Sequence, residues 1–589
     1  MAGLRAARAG EAHELSALAL RSKAHWGYGA AFLAACAPEL EIREGELAAR
    51  RIVVAQEGGP GGEVLGLASL EGSPPQGRLG LLFVEPEAIG RGVGRLLYRD
   101  ALRRAVELGF ERLVIDADPH AAGFYRAMGA VAPAGGSGHD DVPPGLVRFE
   151  VAPVPLAGWA RAWTGGGPAV HVGNVAEYNA QFADTSLDRG QRAAHHYACL
   201  AAFYSPLPGA LVLPLPVSRG WIGLVCRPLG WEGVEVYDGL AEQGPGLSDA
   251  VRARPALAAL LTSGGLPLVP WGRTAAFGRL AGWPWRPQQL RYESKAAAHG
   301  LFARILADGG HPAIVLPAQW RARSRRAAAG MLAARVEAGR CTVLKSEHGV
   351  GGSGTVIAPP DRVRAAGGAQ AFLRGLPRGP LLVEEYVSGP AEPGAVRDLT
   401  YDGFVDAAGR VHEVGGAVMD VEGSGYRGAT VGPGVVPAWA LEPLLGFGGA
   451  VGRELAAAGY RGWFDVDFVA DGDGRLAPTE ANLRLTGPSV AFMVAARLDA
   501  LRGAGHLVRI VDRVELGARL PDAPLEELCR EWARACAGLG AVFVPAITTG
   551  AFDPRPWLGA LLAAHSAGTL DAAEALIRSR ALEPGAPFR

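Results

Sequence analysis

One stretch of sequence indicates the fold of the larger part of the chain. It reads Cys341-Thr-Val-Leu-Lys345-Ser-Glu-His-Gly-Val-Gly-Gly-Ser-Gly-Thr-Val-Ile357. Its first five residues predict a strand that ends in lysine, the glycines predict a flexible loop, and a second strand follows. Such a flap between antiparallel strands can fold over a triphosphate while the ammonium group of Lys345 contacts its oxygens. In a Walker-type loop the lysine follows the glycines and a helix comes next, so that type of site is not indicated.

Lysine is rare in this chain, so the few positions that carry it are candidates for a specific role. Of 58 basic residues, only Lys23, Lys295 and Lys345 are lysines. Arginine serves equally well on a solvated surface, but it does not replace a compact, flexible ammonium that must reach a phosphate as a point charge. Any one lysine can be retained by chance. The surroundings of Lys345 favour a phosphate contact.

Downstream of the flap, Leu381-Leu-Val-Glu-Glu-Tyr-Val387 predicts an apolar strand that ends in acids. Its backbone groups and Glu384 are suited to binding an adenine. This segment therefore predicts the hinge of a nucleotide site.

An acidic hairpin comes next. Gly462 to Ala470 predicts a strand, Asp-Gly-Asp-Gly a turn, and a returning strand carries Glu480 and Asn482. Pairing across this turn would bring Asp467 near both residues, which share a face because they are two apart. Two carboxylates and an amide oxygen suit an Mg²⁺ ion that bridges ATP phosphates. Taken alone, the hairpin could also be a solvated turn.

This ordered set resembles the ATP-grasp superfamily over roughly 295–515. The resemblance implies Mg²⁺ ligands at Asp467, Glu480 and Asn482. The ATP-binding residues that it implies are Lys295, Lys345, Gly351, Gly352, Ser353, Gly354, Glu384, Glu385, Tyr386, Val387 and Asp398, with Glu392 as the alternative to Asp398 for the ribose. Asp465 stands where some of these ligases place an arginine, so the acyl-phosphate clamp is expected from Arg484 or Arg397.

The superfamily's chemistry implies what these residues do. A substrate carboxylate attacks the γ-phosphate of ATP to give an acyl phosphate and ADP, and an amine then displaces phosphate. Lys295, Lys345, Mg²⁺ and an arginine stabilise the charge on the transferring phosphoryl group. A further resemblance is to the pre-ATP-grasp domain of peptide ligases of the pheganomycin type. It is carried by the start of the segment 169–294 and by Glu-Ser-Lys at 293–295, where the ATP-grasp region begins.

Near the N-terminus, a glycine-rich turn leads from a strand into an amphipathic helix. Closely spaced glycines let backbone N–H groups face an anion, and the helix N-terminus adds its dipole. A dinucleotide fold would place such a turn after its first strand, whereas this one follows several elements, which favours the pyrophosphate of coenzyme A. The cradle residues are Val84, Gly90, Arg91, Gly92, Val93, Gly94 and Arg95.

This turn and the later Asp118-Pro-His-Ala-Ala-Gly-Phe-Tyr125 block resemble the GNAT family of acetyl-CoA-dependent N-acyltransferases over about 1–152. The resemblance implies that Tyr125 protonates the departing thiolate. A core aromatic on a helix face is the alternative for this residue. Glu85 or a water chain is expected as the general base, and His25 and Trp26 either line the acceptor groove or pack in the core.

Composition limits the remaining function classes. The net charge of −1 excludes a polyanion binder held by bulk charge, and the apolar fraction of 49% excludes a disordered chain. Six cysteines without a Cys-x-x-Cys motif exclude a disulfide scaffold and a thiolate zinc cluster. Pro206, Pro208, Pro214 and Pro216 interrupt the longest uncharged stretch, so a buried strand is expected there rather than a membrane span.

We therefore expect an α/β and α+β multidomain protein. The predicted map is a GNAT domain at 1–152, a linker at 153–168, a pre-ATP-grasp α/β domain at 169–294, an ATP-grasp core at 295–515 and a mostly helical segment at 516–589. Strands are predicted near Ala210 and at Trp221–Cys226.

The expected function is bifunctional biosynthesis in the cytoplasm, with ATP, Mg²⁺ and acetyl-CoA as cofactors. The expected partners are small amino-acid or peptide substrates, without nucleic acid or membrane, and a homodimer is an allowed assembly. The alternative is an acetyltransferase controlled by a domain that senses ATP without turnover.

Overall fold

The structure is a computed structural model. It describes residues 2–58, 61–133, 142–143, 145–184, 187, 190–241, 246–309, 311–376, 379, 381–392 and 394–581. The chain forms two compact units, one of Met1–Leu156 with Arg497–Gly505, the other of Ala157–Ala496 with His506–Arg589. Both units combine helices and sheets, which confirms the predicted fold class. Among the described helices, none is both long and apolar enough to cross a lipid bilayer.

The first unit is an α+β fold with two sheets, ordered β1-β2-β3-β6 and β4-β5-β7-β8. Its elements are β1 (Ala2–Ala6), α1 (Ala12–Ala24), α2 (Ala30–Leu40), α3 (Glu46–Ala49), β2 (Val53–Glu57), β3 (Val64–Ala68), β4 (Glu71–Ser73), β5 (Gln76–Arg78), β6 (Leu82–Val84), α4 (Val93–Leu108), β7 (Arg112–Ala117), α5 (Ala122–Ala127) and β8 (Val147–Val151).

Helix α4 anchors the core of the first unit. Leu97, Ala101 and Ala105 recur every four residues and are fully buried. The helix ends at Gly109, whose φ of 82° is the left-handed conformation that glycine adopts without a steric penalty. This helix is as the sequence predicts.

The second unit begins with a short helix and a parallel sheet of order β11-β10-β9-β12. The elements of this part are α6 (Gly158–Thr164), β9 (Ala169–Val172), α7 (Val175–Ala180), α8 (Gly190–Tyr197), β10 (Pro208–Val212), α9 (Arg219–Leu229), β11 (Glu235–Tyr237), α10 (Leu247–Arg252), α11 (Pro255–Ser263), β12 (Leu268–Pro270) and α12 (Ala275–Ala281).

One prediction for this part was wrong. Trp221–Cys226 lies in helix α9 and not in a strand, because Ser218 caps the backbone N–H groups of Gly220 and Trp221 and Gly230 ends the helix in the left-handed conformation. The predicted linker at 153–168 contains helix α6. The buried strand predicted within the proline-rich stretch is present as β10.

A smaller antiparallel sheet has the order β13-β16-β14-β15 and contains the two strands on either side of the glycine-rich flap. A larger sheet has the order β21-β20-β17-β18-β19-β22-β24-β23. The elements from this part to the C-terminus are α13 (Lys295–Ala307), β13 (Gln319–Ala322), α14 (Arg325–Glu337), β14 (Thr342–Lys345), β15 (Thr355–Ala358), α15 (Pro360–Ala365), α16 (Ala369–Arg374), β16 (Leu381–Glu385), β17 (Asp398–Val405), β18 (Val411–Glu422), β19 (Gly425–Val431), α17 (Ala438–Ala457), β20 (Gly462–Ala470), β21 (Leu476–Asn482), α18 (Gly487–Arg502), β22 (Leu507–Glu515), α19 (Asp522–Gly538), β23 (Val542–Ile547), β24 (Trp557–Ala564) and α20 (Ala567–Ala581).

The C-terminal segment is less helical than predicted. Trp557–Ala564, expected in a helix, is strand β24, and every residue in it is buried. It lies between β22 and β23 in the larger sheet, so the sheet continues past residue 515, the predicted end of the ATP-grasp core. A continuous apolar run suits a fully buried strand as well as a helix, and tertiary pairing decides between them.

Candidate active sites

The acidic hairpin and the first predicted phosphate lysine meet in the second unit. Strands β20 and β21 pair so that Asp467 is opposite Glu480, as the hairpin turn predicted. Lys295, the first residue of α13, forms an ion pair with Glu480 and donates a hydrogen bond to the Gly349 carbonyl at 2.9 Å. One ammonium group thus contacts both the flap and the acidic hairpin.

The second lysine lies at the end of β14, beside the predicted hinge. The Nζ atom of Lys345 is 2.7 Å from Oε1 of Glu384, and both side chains are buried. Gln319 donates to the other carboxylate oxygen of Glu384 at 2.7 Å. In this structure, therefore, the Glu384 carboxylate is held by Lys345 and Gln319.

Electrostatics link both lysines to the hairpin. Burial alone would raise the pKa of Glu480, but Lys295 and Lys345 lower it to about 2. Burial and the neighbouring Asp465 and Glu480 carboxylates raise the pKa of Asp467. The site therefore combines two ammonium groups with ionised Glu480 in a buried setting.

The predicted metal ligands fit Mg²⁺ through their carboxylates. Asp467 and Glu480 place hard oxygen donors side by side. The Nδ2 atom of Asn482 donates to Oδ2 of Asp467 at 3.2 Å, while its Oδ1 accepts from Arg484 at 2.8 Å. The amide oxygen is thus turned toward the guanidinium. No described group of three or more His, Cys, Asp or Glu residues has metal-binding geometry.

The flap that follows Lys345 is formed by its glycines. Gly351, Gly352 and Gly354 have φ values of 58°, 82° and 72°. A Cβ atom at Gly352 would collide with the carbonyl oxygen of Ser424 in the turn between β18 and β19. Ser353 accepts a hydrogen bond from the Val350 N–H at 3.0 Å. These backbone conformations keep the flap beside the larger sheet.

The two predicted clamp arginines occupy different places. Arg397 lies 3.4 Å from Asp398, donates to the Val387 carbonyl at 3.3 Å, and stacks over the Tyr386 ring at 5.6 Å. It therefore belongs with the hinge and the predicted ribose carboxylate. Burial, opposed by Arg397, raises the pKa of Asp398. The backbone N–H of Glu385 donates to the Ala318 carbonyl at 2.9 Å.

Arg484, in contrast, lies beside the predicted metal ligands. Its Nη2 atom donates to Oδ1 of Asn482, and its Nε atom is 3.4 Å from Oε1 of Glu293. Glu293 also accepts from the Leu483 N–H at 2.5 Å and is buried. The pairing of Glu293 with Arg484 was not predicted from the sequence, although an acid two residues before Lys295 could have indicated it.

Two further buried carboxylates were not predicted as functional. Asp402 of β17 is directly opposite Asp465 of β20. Burial and Asp467 raise the pKa of Asp402 to about 8, and burial and Asp402 raise that of Asp465. Asp402 stands in the apolar segment Leu399-Thr-Tyr-Asp-Gly-Phe404, where a buried acid is unusual, and this was the signal that could have identified it.

In the first unit, the predicted cradle forms the entry to α4. Gly90 and Gly92 have φ values of 81° and 89°, and Gly92 immediately precedes the helix. Gly94 in the first turn lies between Val84 and Phe124, because a Cβ atom there would touch both side chains. Val93 is buried, and Arg95 follows it in the first helical turn. Backbone N–H groups and the helix dipole thus converge at one place.

Two predicted side chains near the cradle have partners within the unit. Arg91 forms an exposed ion pair with Glu57 at 2.6 Å. The buried Glu85 carboxylate forms an ion pair with Arg21. Tyr125 on α5 is 6% exposed, and burial raises the pKa of its hydroxyl. The Tyr125 ring packs against Tyr98, Phe124 and Phe149 in the core of this unit, which is the alternative that the sequence left open for this residue.

His25 and Trp26 belong to an aromatic cluster in the first unit. The Trp26 ring stacks on His120 with centroids 5.3 Å apart, and His25 contacts the edge of Trp26. Trp26 is 38% exposed. Trp26 therefore lies at the surface and does not pack in the core.

Comparisons with known proteins support the first unit most directly. Residues 19–130 match the model of the Acetyltransferase (GNAT) family, which confirms the resemblance predicted for this region. Among curated proteins, none matches the chain.

Solved structures resemble the chain over different shares of its length. Biotin carboxylase with βγ-ATP from Campylobacter jejuni is 11% identical and covers 71% of this chain and 95% of its own, with a TM-score of 0.41. The L-amino acid ligase from Bacillus licheniformis is 14% identical and covers 60% and 88%, with a TM-score of 0.36. The PaiA N-acetyltransferase from Thermoplasma acidophilum, in complex with coenzyme A, is 15% identical and covers 26% and 98%, with a TM-score of 0.22.

Proposed function

We propose that the chain joins an acetyl-CoA-dependent N-acetyltransferase, in the first unit, to an ATP-grasp carboxylate–amine ligase that forms ADP, in the second. The observation that carries the ligase proposal is the meeting of Lys295, the flap and the acidic hairpin at Glu480, with Lys345 close enough to lower the pKa of the same carboxylate. These residues come from distant parts of the sequence. A structural role alone does not require two buried ammonium groups beside a glycine-rich flap.

In this proposal, ATP lies between the smaller sheet and the larger one. Tyr386 and Val387 bind the adenine, Asp398 binds the ribose, and Lys295, Lys345 and the flap contact the phosphates. Asp467 and Glu480 hold Mg²⁺, and Asn482 joins them if its amide turns from Arg484. When bound, Mg²⁺ supplies charge neutralisation at the phosphate oxygens. The Lys345–Glu384 pair opens when phosphate oxygens replace the Glu384 carboxylate as partner.

The protein side chains then serve phosphoryl transfer through charge and position. A substrate carboxylate oxygen attacks the γ-phosphorus, the bond to the β-phosphate oxygen breaks, and ADP leaves. Lys295, Lys345 and Arg484 stabilise the negative charge during this step. An amine next attacks the acyl carbon and expels phosphate, which forms the amide. No covalent bond to the enzyme is needed.

In the first unit, the cradle of Gly90 to Gly94 binds the pyrophosphate of acetyl-CoA. The acceptor amine attacks the thioester carbonyl, and the Tyr125 hydroxyl donates its proton to the departing thiolate. Glu85 takes up the amine's proton directly or through water once its carboxylate separates from Arg21. The fusion suits a biosynthetic enzyme whose two modules act on the same amino acid or peptide.

The test separates the two activities in the full-length chain. With ATP, Mg²⁺, acetyl-CoA and a pool of amino acids, we expect ADP and phosphate release that depends on an added carboxylate. Lys345→Ala and Glu480→Ala should abolish this release while acetyl-CoA consumption survives. Tyr125→Phe should lower acetyl transfer by about 10²- to 10⁴-fold and leave ADP release intact.

Two outcomes would contradict the proposal. ATP that binds without carboxylate-dependent turnover would identify the second unit as a nucleotide sensor. Loss of both activities in every variant would indicate one composite site. Mass spectrometry of the same mixture would identify the product.

A further inference from the structure

The glycine-rich flap, residues 346–354, is in contact with a segment that the reaction described above does not use. This segment, residues 178–184, comprises the end of α7 and the chain that follows it. The Oδ2 atom of Asp184 accepts a hydrogen bond from the backbone N–H of His348 at 2.8 Å. The Phe182 ring stacks on the His348 ring, with centroids 4.9 Å apart and an interplanar angle of 16°. Two side chains of the segment therefore hold one residue of the flap.

The other end of the same segment contacts the strand that carries the proposed metal ligands. The hydroxyl group of Tyr178 donates to the Leu483 carbonyl at 3.4 Å, and Tyr178 is fully buried. Leu483 directly follows Asn482, the last residue of β21. The Tyr178 ring is fixed in this place, because a Cβ atom at Gly272 would collide with it. The 178–184 segment thus links the flap to the end of the acidic hairpin.

His348 is also the residue between two contacts of Lys295. The backbone N–H of Lys295 donates to the Glu347 carbonyl at 3.1 Å, and its Nζ atom donates to the Gly349 carbonyl at 2.9 Å. Because peptide units are planar and rigid, a displacement of His348 moves the carbonyls on both sides of it. The contacts of the 178–184 segment with His348 therefore affect the position of a phosphate lysine.

The flap needs such contacts because its own sequence does not order it. Glycine loses more conformational freedom on folding than any other residue, so a glycine-rich loop is costly to hold in one arrangement. A carboxylate that accepts from a backbone N–H forms a strong, charge-assisted hydrogen bond, and a stacked aromatic pair adds to it. Contacts that order a loop before its ligand arrives raise the affinity for that ligand.

We propose that Phe182 and Asp184 are positioning residues of the ATP site, which hold the flap in its ATP-binding arrangement through His348. This inference rests on the proposed ligase function. Both residues act through the flap and not on the reacting atoms. Their removal therefore weakens the binding of ATP equally in the ground state and in the transition state, and the effect appears in the KM for ATP and not in kcat.

The first experiment compares two substitutions of Asp184 in the full-length enzyme. Asp184→Ala removes the acceptor of the His348 N–H, and we expect the KM for ATP to rise by about 10-fold. Asp184→Asn keeps a side-chain oxygen that can accept, so its KM should stay within about threefold of the parent. In both variants kcat should remain within about twofold of the parent. Release of ADP with a pool of amino acids gives both constants.

A double-mutant cycle tests the ring contact. Phe182→Leu and His348→Ala should each raise the KM for ATP by about 3- to 10-fold, and the double variant by no more than the larger single effect, because both remove the same stack. Phe182→Tyr keeps the stack and should resemble the parent. The matched control is Gln181→Ala in the same segment, since Gln181 bonds to the Arg273 carbonyl at 3.1 Å. It should leave the KM unchanged.

Hydrogen–deuterium exchange of the full-length protein without nucleotide observes the flap itself. Asp184→Ala should raise the exchange rate of peptides that cover residues 346–354 by about 10-fold, and Gln181→Ala should not change it. Thermal unfolding of each variant checks the fold.

Unchanged flap exchange in Asp184→Ala, a loss confined to kcat, or multiplicative effects of Phe182→Leu and His348→Ala would overturn the inference and leave the ligase proposal standing. If the unsubstituted enzyme releases no ADP with any added carboxylate, the ligase proposal itself fails. The exchange measurement still decides in that case whether the 178–184 segment holds the flap.

Discussion

Lys345 and Glu384 form a buried ion pair in the proposed ATP site. Each side chain is buried, and each supplies the charge that the other needs. A buried pair adds little net stability, but removal of one partner leaves an uncompensated charge. In the proposed ATP site, the pair would keep the Lys345 ammonium group in place until a phosphate oxygen replaces the carboxylate.

A double-mutant cycle tests this role. Lys345→Met should lower the free energy of unfolding of the second unit by about 3–5 kcal/mol, and Glu384→Gln by a similar amount. The double variant should lose clearly less than the sum of the two, because neither charge is then left alone. Urea denaturation measures the cycle. Additive losses would contradict the pairing, and ADP formation should be absent in both variants that lack Lys345.

His171 in β9 gives a pH-dependent prediction. It is fully buried, with Nδ1 2.6 Å from the Ala201 carbonyl and Nε2 2.8 Å from the Ser205 hydroxyl. Burial lowers its pKa from 6.5 to about 4. Between these values the unfolded chain binds the extra proton, so the contribution of His171 to stability is complete above pH 6.5 and is lost as pH falls toward 4.

The expected loss over this interval is about 3 kcal/mol. His171→Gln, which keeps one donor and one acceptor, should flatten the stability curve between these pH values by that amount. Chemical denaturation at a series of pH values measures it. A curve with the same slope in both proteins would show that His171 does not titrate in this way.

At the scale of elements, the flap depends on contact with the larger sheet. Gly352 and Gly351 both have positive φ, but only at Gly352 would a Cβ atom meet the Ser424 carbonyl. Gly351 has open space around it. A substitution at Gly351 therefore introduces backbone strain alone, whereas one at Gly352 introduces both strain and a steric collision.

Gly351→Ala should cost about 1 kcal/mol of local strain. Gly352→Ala adds a collision that moves the flap off the β18–β19 turn, so we expect the KM for ATP to rise by about 10-fold or more, against about threefold for Gly351→Ala. Steady-state kinetics give both values. Equal effects would show that the flap does not rest on Ser424 in the working enzyme.

Some secondary-structure elements could be predicted from the sequence, and others could not. The Lys345 strand, the flap and the register of Asp467 with Glu480 follow from local patterns, because hairpins and glycine loops are decided by nearby residues. Trp221–Cys226 and Trp557–Ala564 were assigned to the wrong type of element, since both are apolar runs whose form depends on caps or on strands far away in sequence. Asp402 was missed because only the pairing of β17 with β20 brings it to Asp465.

At the scale of the whole molecule, the first unit is not one continuous stretch. It includes Arg497–Gly505, within which the Ala504 N–H donates to the Ala152 carbonyl at 2.9 Å. A Cβ atom at Gly503 would collide with Val151, so this segment is in close contact with the end of β8. Residues more than 300 positions downstream of the GNAT match thus pack in the same compact unit as that match.

We expect a fragment of residues 1–156 to unfold at a lower temperature than the same unit in the full-length chain. For a unit of this size, each kcal/mol of lost contact energy should lower Tm by about 2–4 °C. Differential scanning calorimetry with added acetyl-CoA identifies the transition of this unit. An unchanged Tm would show that the 497–505 segment contributes nothing to its stability.

This interleaving has a consequence for how such a protein can change. The chain passes between the units after residues 156, 496 and 505. Recombination at a single breakpoint after residue 156 would exchange the N-terminal part of the first unit. It would leave the segment Arg497–Gly505 of that unit in the original chain. Homologous replacement of either module therefore requires coordinated breakpoints, and domain-shuffling experiments that use only the first boundary should yield poorly folded chimeras.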